Sequence, residues 1–168
     1  MEKIVKEFMN HPLSDADIMN ICNNKANLLL NSELHKYKTL NEMTQPYGAC
    51  ILLYDKSDGS PGHWCCVTKN KVGFEFFDPY GYKPDYVLKH LGGKPYLSAI
   101  IKNTRGIIYY NDVRIQKLKS NVSTCGRYIG MRVLLKDMSL EKFIDMLTKN
   151  KYYDADYYIT ILTLFAEN

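Results

Sequence analysis

No stretch of this 168-residue chain approaches the roughly 18 consecutive apolar residues of a membrane span; the longest runs are short segments such as residues 49–54. The sequence contains no internal repeat, low-complexity tract or linker, so one domain covering residues 1–168 is expected. With 46% hydrophobic and 24% charged residues, it is not a disordered, collagen-like or coiled-coil chain. A net charge of +4 is a weak hint of contact with nucleic acid or an acidic surface. Residues 1–7 mix acids with lysines and no apolar segment follows, so a non-secreted protein without membrane association is expected. Cysteine is scarce and odd in number: Cys22, Cys50, Cys65, Cys66 and Cys125. In a reducing compartment this excludes a disulfide framework and leaves at least one thiol free.

What is present patterns into short elements. Residues 14–30 predict a helix, with Ser14 as cap and Asp15 and Asp17 at its positive end. Residues 48–54, 62–68 and 72–77 predict three antiparallel strands, separated by loops at 55–61 and 69–71. Residues 84–91 and 95–103 read as proline-started helices and 106–110 as a further strand. Apolar spacing predicts helices over 125–135, 140–149 and 154–165. The expected fold class is α+β, a small, mostly antiparallel central sheet flanked by helices.

Four side chains carry chemistry. In Gly62-His63-Trp64-Cys65-Cys66-Val67 alternation puts His63, Cys65 and Val67 on one strand face, with His63 at the strand's start. Phe76-Phe77-Asp78-Pro79-Tyr80-Gly81 ends the next strand, and the hairpin at 69–71 returns Asp78 to the rim where His63 began. A carboxylate there can accept from one ring nitrogen and fix the tautomer. In Ser123-Thr124-Cys125-Gly126-Arg127-Tyr128, Ser123 or Thr124 can cap a helix beginning near Cys125. A thiol in a helix's first turn faces the positive end of the dipole, which favours thiolate, the attacking form. Gly126 leaves room for a substrate backbone. Gln116, between a strand and Cys125, is placed to donate to an oxyanion formed in acyl transfer. Cys22 and Cys50 fall on apolar faces and read as core residues, while Cys65 is set apart because it shares a face with His63.

The order His63, Asp78, Gln116, Cys125 is the reverse of a papain-type enzyme, whose cysteine comes first. The set His-Trp, Phe-Asp-Pro-Tyr-Gly, Gln and Ser-Thr-Cys-Gly-Arg-Tyr, over roughly residues 40–143, resembles adenovirus-type (adenain) maturation proteases and the related SUMO proteases. The resemblance is strongest to the shorter versions from virophages, Maverick/Polinton elements and large DNA viruses. It implies a cysteine endopeptidase with His63 as base, Asp78 as orienter, Gln116 as oxyanion donor and Cys125 as nucleophile, in the adenain-like fold with the nucleophile at a helix N-terminus. It also implies cleavage of capsid or core precursors at glycine-rich sites such as Gly-Gly or Gly-X-Gly, in the virion and in the cytoplasm or virus factory of an infected cell. No cofactor is implied, the expected state is a monomer, and DNA or an activating peptide are further partners the resemblance allows. Trp64 looks like the tryptophan that roofs the slot in SUMO proteases, though a sheet-face aromatic is an equal reading. The Trp-Leu-Asn-Asp signature of SUMO proteases is missing, which favours the viral branch over a tag-removing enzyme.

Three other readings are weaker. Related bacterial acetyltransferases use a similar residue set, but no basic pocket for CoA is legible. A zinc site from His63, Cys65, Cys66 and Cys125 is disfavoured because adjacent cysteines on a strand face opposite ways and no C-x-x-C pair exists. Fourteen tyrosines with Lys117, Lys119, Lys149 and Lys151 would suit a nucleic-acid-binding module, but scattered lysines are usually a solvated face.

Overall fold

Residues Glu2–Asn10 form an amphipathic helix, α1, which packs on the C-terminal helix and buries Val5. Ser14 starts α2 (Asp15–Ile21): its hydroxyl accepts the Asp17 N–H at 3.2 Å while Asp17 Oδ2 accepts the Ser14 N–H at 3.0 Å. The helix expected over 14–30 ends here, because Asn23 and Asn24 take left-handed backbone angles (φ 54° and 56°). The apolar run that follows becomes a strand, β1 (Asn27–Leu30), then a 3₁₀ helix (Asn31–Lys36) and α3 (Leu40–Thr44). The structure, a computed structural model, describes residues 2–56, 58 and 62–166. Of the loop expected over 55–61, residues 57 and 59–61 lie outside that description.

Strands β2 (Ala49–Tyr54), β3 (His63–Lys69) and β4 (Phe74–Phe77) form the expected antiparallel meander. Beyond β4 come α4 (Leu88–Leu91), α5 (Tyr96–Asn103) and β5 (Ile108–Tyr110). Strands β1 and β5 add in parallel to the two sides of the meander, giving a five-stranded mixed sheet in the order β1-β2-β3-β4-β5. Helices α6 (Cys125–Leu134), α7 (Leu140–Thr148) and α8 (Ala155–Thr163) complete the α+β fold. Among the described residues no helix is long and apolar enough to cross a membrane.

Alternation along the strands divides the core in two. Cys50, Leu52, Tyr54, Cys65, Val67 and Phe76 face α3, α5 and the 3₁₀ helix, whereas Ile51, Cys66 and Phe77 face α2, α6, α7 and α8. Helix α6 is buried from Gly126 to Val133, two arginines included. Arg132 forms a two-pronged pair with Glu75 of β4 (2.6 and 3.0 Å) and also donates to the Leu135 and Met138 carbonyls. Gly126 and Gly130 make a groove for α2. A Cβ at Gly126 would lie 2.8 Å from Ile18 Cδ1, and one at Gly130 2.8 Å from Ile21 Cβ.

This contact gives a direct test. Gly130→Ala forces its new methyl group against Ile21 and the Ile18 carbonyl, and the expected loss is about 1–3 kcal/mol, read from urea unfolding. Unchanged stability would show that α2 and α6 can separate freely.

Candidate active site

The pairing register explains why His63 and Asp78 meet. Cys66 pairs with Phe77, so the next position sets Asp78 beside Cys65, on the face that His63 shares two residues away. His63 Nε2–H donates to Asp78 Oδ2 at 2.6 Å, with His63 7% and Asp78 1% exposed. The other carboxylate oxygen, Oδ1, accepts the Tyr80 N–H at 2.8 Å, so the acid is fixed from two sides. Tyr80 also stacks on the imidazole, its ring centroid 5.2 Å away and the planes 22° apart.

The other chemical neighbour of the His63 side chain is Cys125, at the first position of α6, which lines the same cavity. With Nε2 given to Asp78, the nitrogen left for the thiol is Nδ1. Burial, the largest single influence, pulls the imidazole pKa down, but the hydrogen bonds to Asp78 and Cys125 and their charges outweigh it and push the pKa up to about 9. Cys125 is the one cysteine that is not buried. Cys65, set apart by its shared face with His63, is fully buried among Cys50, Leu52 and Tyr54, and burial raises its thiol well above the ordinary range. It is a core residue.

Gln116 arrives on the segment between β5 and α6. Its N–H and that of Ile115 both donate to the Pro79 carbonyl, at 3.0 and 2.9 Å, which ties this segment to the turn carrying Asp78. Gly81 permits that approach, since its φ is +72° and a Cβ would meet the backbone of Asp112 and Val113 at 3.0–3.1 Å. Gln116 is 1% exposed, its buried Oε1 has no partner among the described residues, and the residue lines the same cavity as His63 and Cys125. That cavity, about 690 Å³, is walled on one side by Tyr80, Tyr82, Val87 and Leu91 and on the other by Leu13, Ser14 and Asp17.

The structure therefore brings together His63, Asp78, Gln116 and Cys125. Trp64 lines the cavity while packing on the α6 side of the core. Gly126 requires correction: Ile18 and Leu13 of the α2 region, not a substrate, fill the space its missing Cβ leaves. Two contributors were missed. Asn111 Nδ2–H donates to the Asp78 carbonyl at 2.6 Å, and only the Asx turn from Val113 N–H to Asn111 Oδ1 (3.0 Å) was open to local reading. The wall from residues 11–17 carried no local signal. Among the described residues no cluster of three or more His, Cys, Asp or Glu could hold a metal ion.

An imidazole held by a carboxylate on one side and facing a thiol on the other can take the thiol's proton and later return it. Comparison with known proteins places the chain in a lineage. The chain is 33% identical over 175 residues to the uncharacterized protein V9 of Sputnik virophage, covering 96% of this chain and 99% of V9. It belongs to the V9 family. No protein-family model matches the chain. Among solved structures, this V9-family member is similar to the central domain of an uncharacterized Legionella pneumophila protein (TM-score 0.43, 17% identity, 92% of this chain and 94% of that one). It is also similar to the ASFV pS273R protease (TM-score 0.37, 22% identity, 70% of this chain and 45% of that one).

The His63 environment has a measurable sign. Its folded pKa of about 9 lies above the ordinary 6.5, so the protonated ring stabilises the fold fully below about pH 6.5, and that contribution is lost as pH rises through about 9. An NMR titration of the His63 ring is expected to show a midpoint near 9, lowered by Cys125→Ala and by Asp78→Asn. A wild-type midpoint at or below 6.5 would mean that neither partner holds the ring.

Proposed function

We propose that this chain is a cysteine endopeptidase that cleaves capsid or core precursors during the maturation of a virophage-type particle. The observation that carries the reading is His63, held by Asp78 at 2.6 Å and lining one cavity with the accessible Cys125 at a helix start. In this mechanism the Cys125 proton resides on His63 Nδ1, where the raised pKa of the ring retains it, and the thiolate sulfur attacks the scissile carbonyl carbon. The resulting oxyanion accepts from the Gln116 side-chain amide and from the Cys125 N–H. His63 then gives its proton to the leaving amine, the C–N bond breaks, and a thioester remains on Cys125. Water attacks the thioester with His63 again as base, releasing the acid product and restoring the thiol.

Asp78 keeps the ring oriented and balances its positive charge between the two proton transfers. Membership of the V9 family supports a viral setting. The motif set and its order support glycine-rich cleavage sites, with action in the virion and infected cell and DNA or a peptide as candidate activators. The half-buried Trp64, together with Tyr80 and Tyr82, would line the path of the substrate chain.

Incubation with co-encoded capsid proteins, followed by mapping of new N-termini, tests this directly. Cys125→Ala is expected to lower cleavage by more than about 10⁴-fold with folding unchanged, and Gln116→Ala to lower kcat by about 10²–10³. Undiminished cleavage by the Cys125→Ala protein would end the proposal. Cleavage of SUMO C-terminal fusions but no capsid protein would replace it with tag removal.

A further inference from the structure

Residues 111–124, the irregular connection from β5 to α6, carry Gln116 and deliver Cys125. Their first part is held by the Asp78 turn, through Asn111, Ile115 and Gln116. Beyond Gln116 a different group takes over. Lys117 N–H donates to Asp156 Oδ2 at 3.0 Å, and seven residues later the Thr124 hydroxyl donates to Asp156 Oδ1 at 2.6 Å. Tyr128, one turn into α6, adds its hydroxyl to the same Oδ1 at 3.2 Å. Asp156 lies in the first turn of α8 and is 1% exposed.

The pattern is specific to a carboxylate. Each oxygen faces a donor from a different side of Gln116 and Cys125: one holds the residue after Gln116, the other the residue before Cys125. Thr124 stands at the N-cap position of α6, but its side chain makes no capping bond because it is committed to Asp156. Among the described residues the Cys125 N–H has no partner. Asp154 reinforces the hold by pairing with Lys117 Nζ at 2.7 Å. Among the described residues the Asp156 carboxylate forms no ion pair, only the three bonds to neutral donors. Burial holds its carboxyl above the ordinary range, while the bonds from Thr124, Lys117 and Tyr128 pull it back.

We infer that Asp156 is a positioning residue that sets the separation of the two oxyanion donors, the Gln116 amide and the Cys125 N–H, by fastening the chain on both sides of the segment between them. The inference rests on the hydrolytic reading above. It assigns to α8 a part in transition-state geometry rather than only in packing, because an oxyanion site depends on donors fixed to within a fraction of an ångström.

The test is a double-mutant cycle on Cys125-dependent peptide hydrolysis, with kcat and KM normalised to folded protein, measured as the fraction of chains whose four buried cysteines resist alkylation. Asp156→Ala is expected to lower kcat by about 10- to 100-fold with KM within about twofold. In a Gln116→Ala background the same change is expected to cost less than about fivefold, since the donor it positions is gone. Asp156→Asn keeps the shape, with an acceptor for Lys117 N–H and a donor for Thr124, and should recover part of the loss. If Asp156→Ala does not fold, Thr124→Val cuts one arm at nearly constant volume and is expected to show the same kcat-only loss and the same non-additivity. Equal fold-losses with and without Gln116, or unchanged activity per folded molecule, would overturn the role of Asp156 and leave the hydrolytic reading standing. A wild-type protein without Cys125-dependent hydrolysis would overturn both.

Discussion

Everything at the site depends on where α6 lies against the sheet, and the buried pair of Arg132 with Glu75 fixes that. Glu75 sits on β4 three residues before Asp78, so one short strand both anchors the far end of the nucleophile-bearing helix and ends in the acid that orients His63. Both oxygens of Glu75 are engaged and the guanidinium also meets two backbone carbonyls, so neither charge is buried alone. Removing one member of such a pair typically costs about 3–5 kcal/mol, because the other remains desolvated without compensation. The near end of α6 is set by shape: the Gly126 and Gly130 groove admits Ile18 and Ile21, and α2 thereby becomes both a packing partner of the helix and a neighbour of the cavity wall.

Much of this was legible because it is local. Alternation along residues 62–68 and 72–77 and a short hairpin are enough to bring Asp78 back toward His63, and the pairing register shows why the contact works. The start of α6 at Cys125 falls where its flanking residues suggest, but not by the capping they suggest: the Thr124 hydroxyl makes no cap and goes to Asp156 instead. What stayed hidden is non-local. The run Leu28-Leu29-Leu30 suits a helix as well as a strand, and only its parallel pairing with β2, together with the left-handed turn at Asn23 and Asn24, decides between them. Gly126 was misread for a related reason: a glycine announces a close approach but not by what, and here Ile18, more than a hundred residues earlier, is what approaches. The bond from Asn111 to the Asp78 carbonyl spans 33 positions and leaves no mark on the spacing of either residue.

The site is thus assembled from four stretches of chain, each held by a different kind of force. Strand pairing sets His63 and Asp78, backbone bonds to the Pro79 carbonyl set Gln116, and a buried ion pair with helix packing sets Cys125. The cavity wall from residues 11–17 is held in turn by a capping box, and the end of α1 just before it is tied to the loop preceding Cys125, where Ser123 N–H donates to the Met9 carbonyl at 2.8 Å. The N-terminal helix is further tied down by Arg127, whose guanidinium reaches the Phe8 carbonyl and Thr163.

The unequal burial of the five thiols has a practical side. Four are sealed inside the two halves of the core and one faces the cavity, so the native chain offers a single sulfur to reagents in solution while the unfolded chain offers five. Stoichiometry of labelling therefore counts intact molecules in a preparation, and a small electrophile becomes an address for one position without any cysteine having to be engineered away.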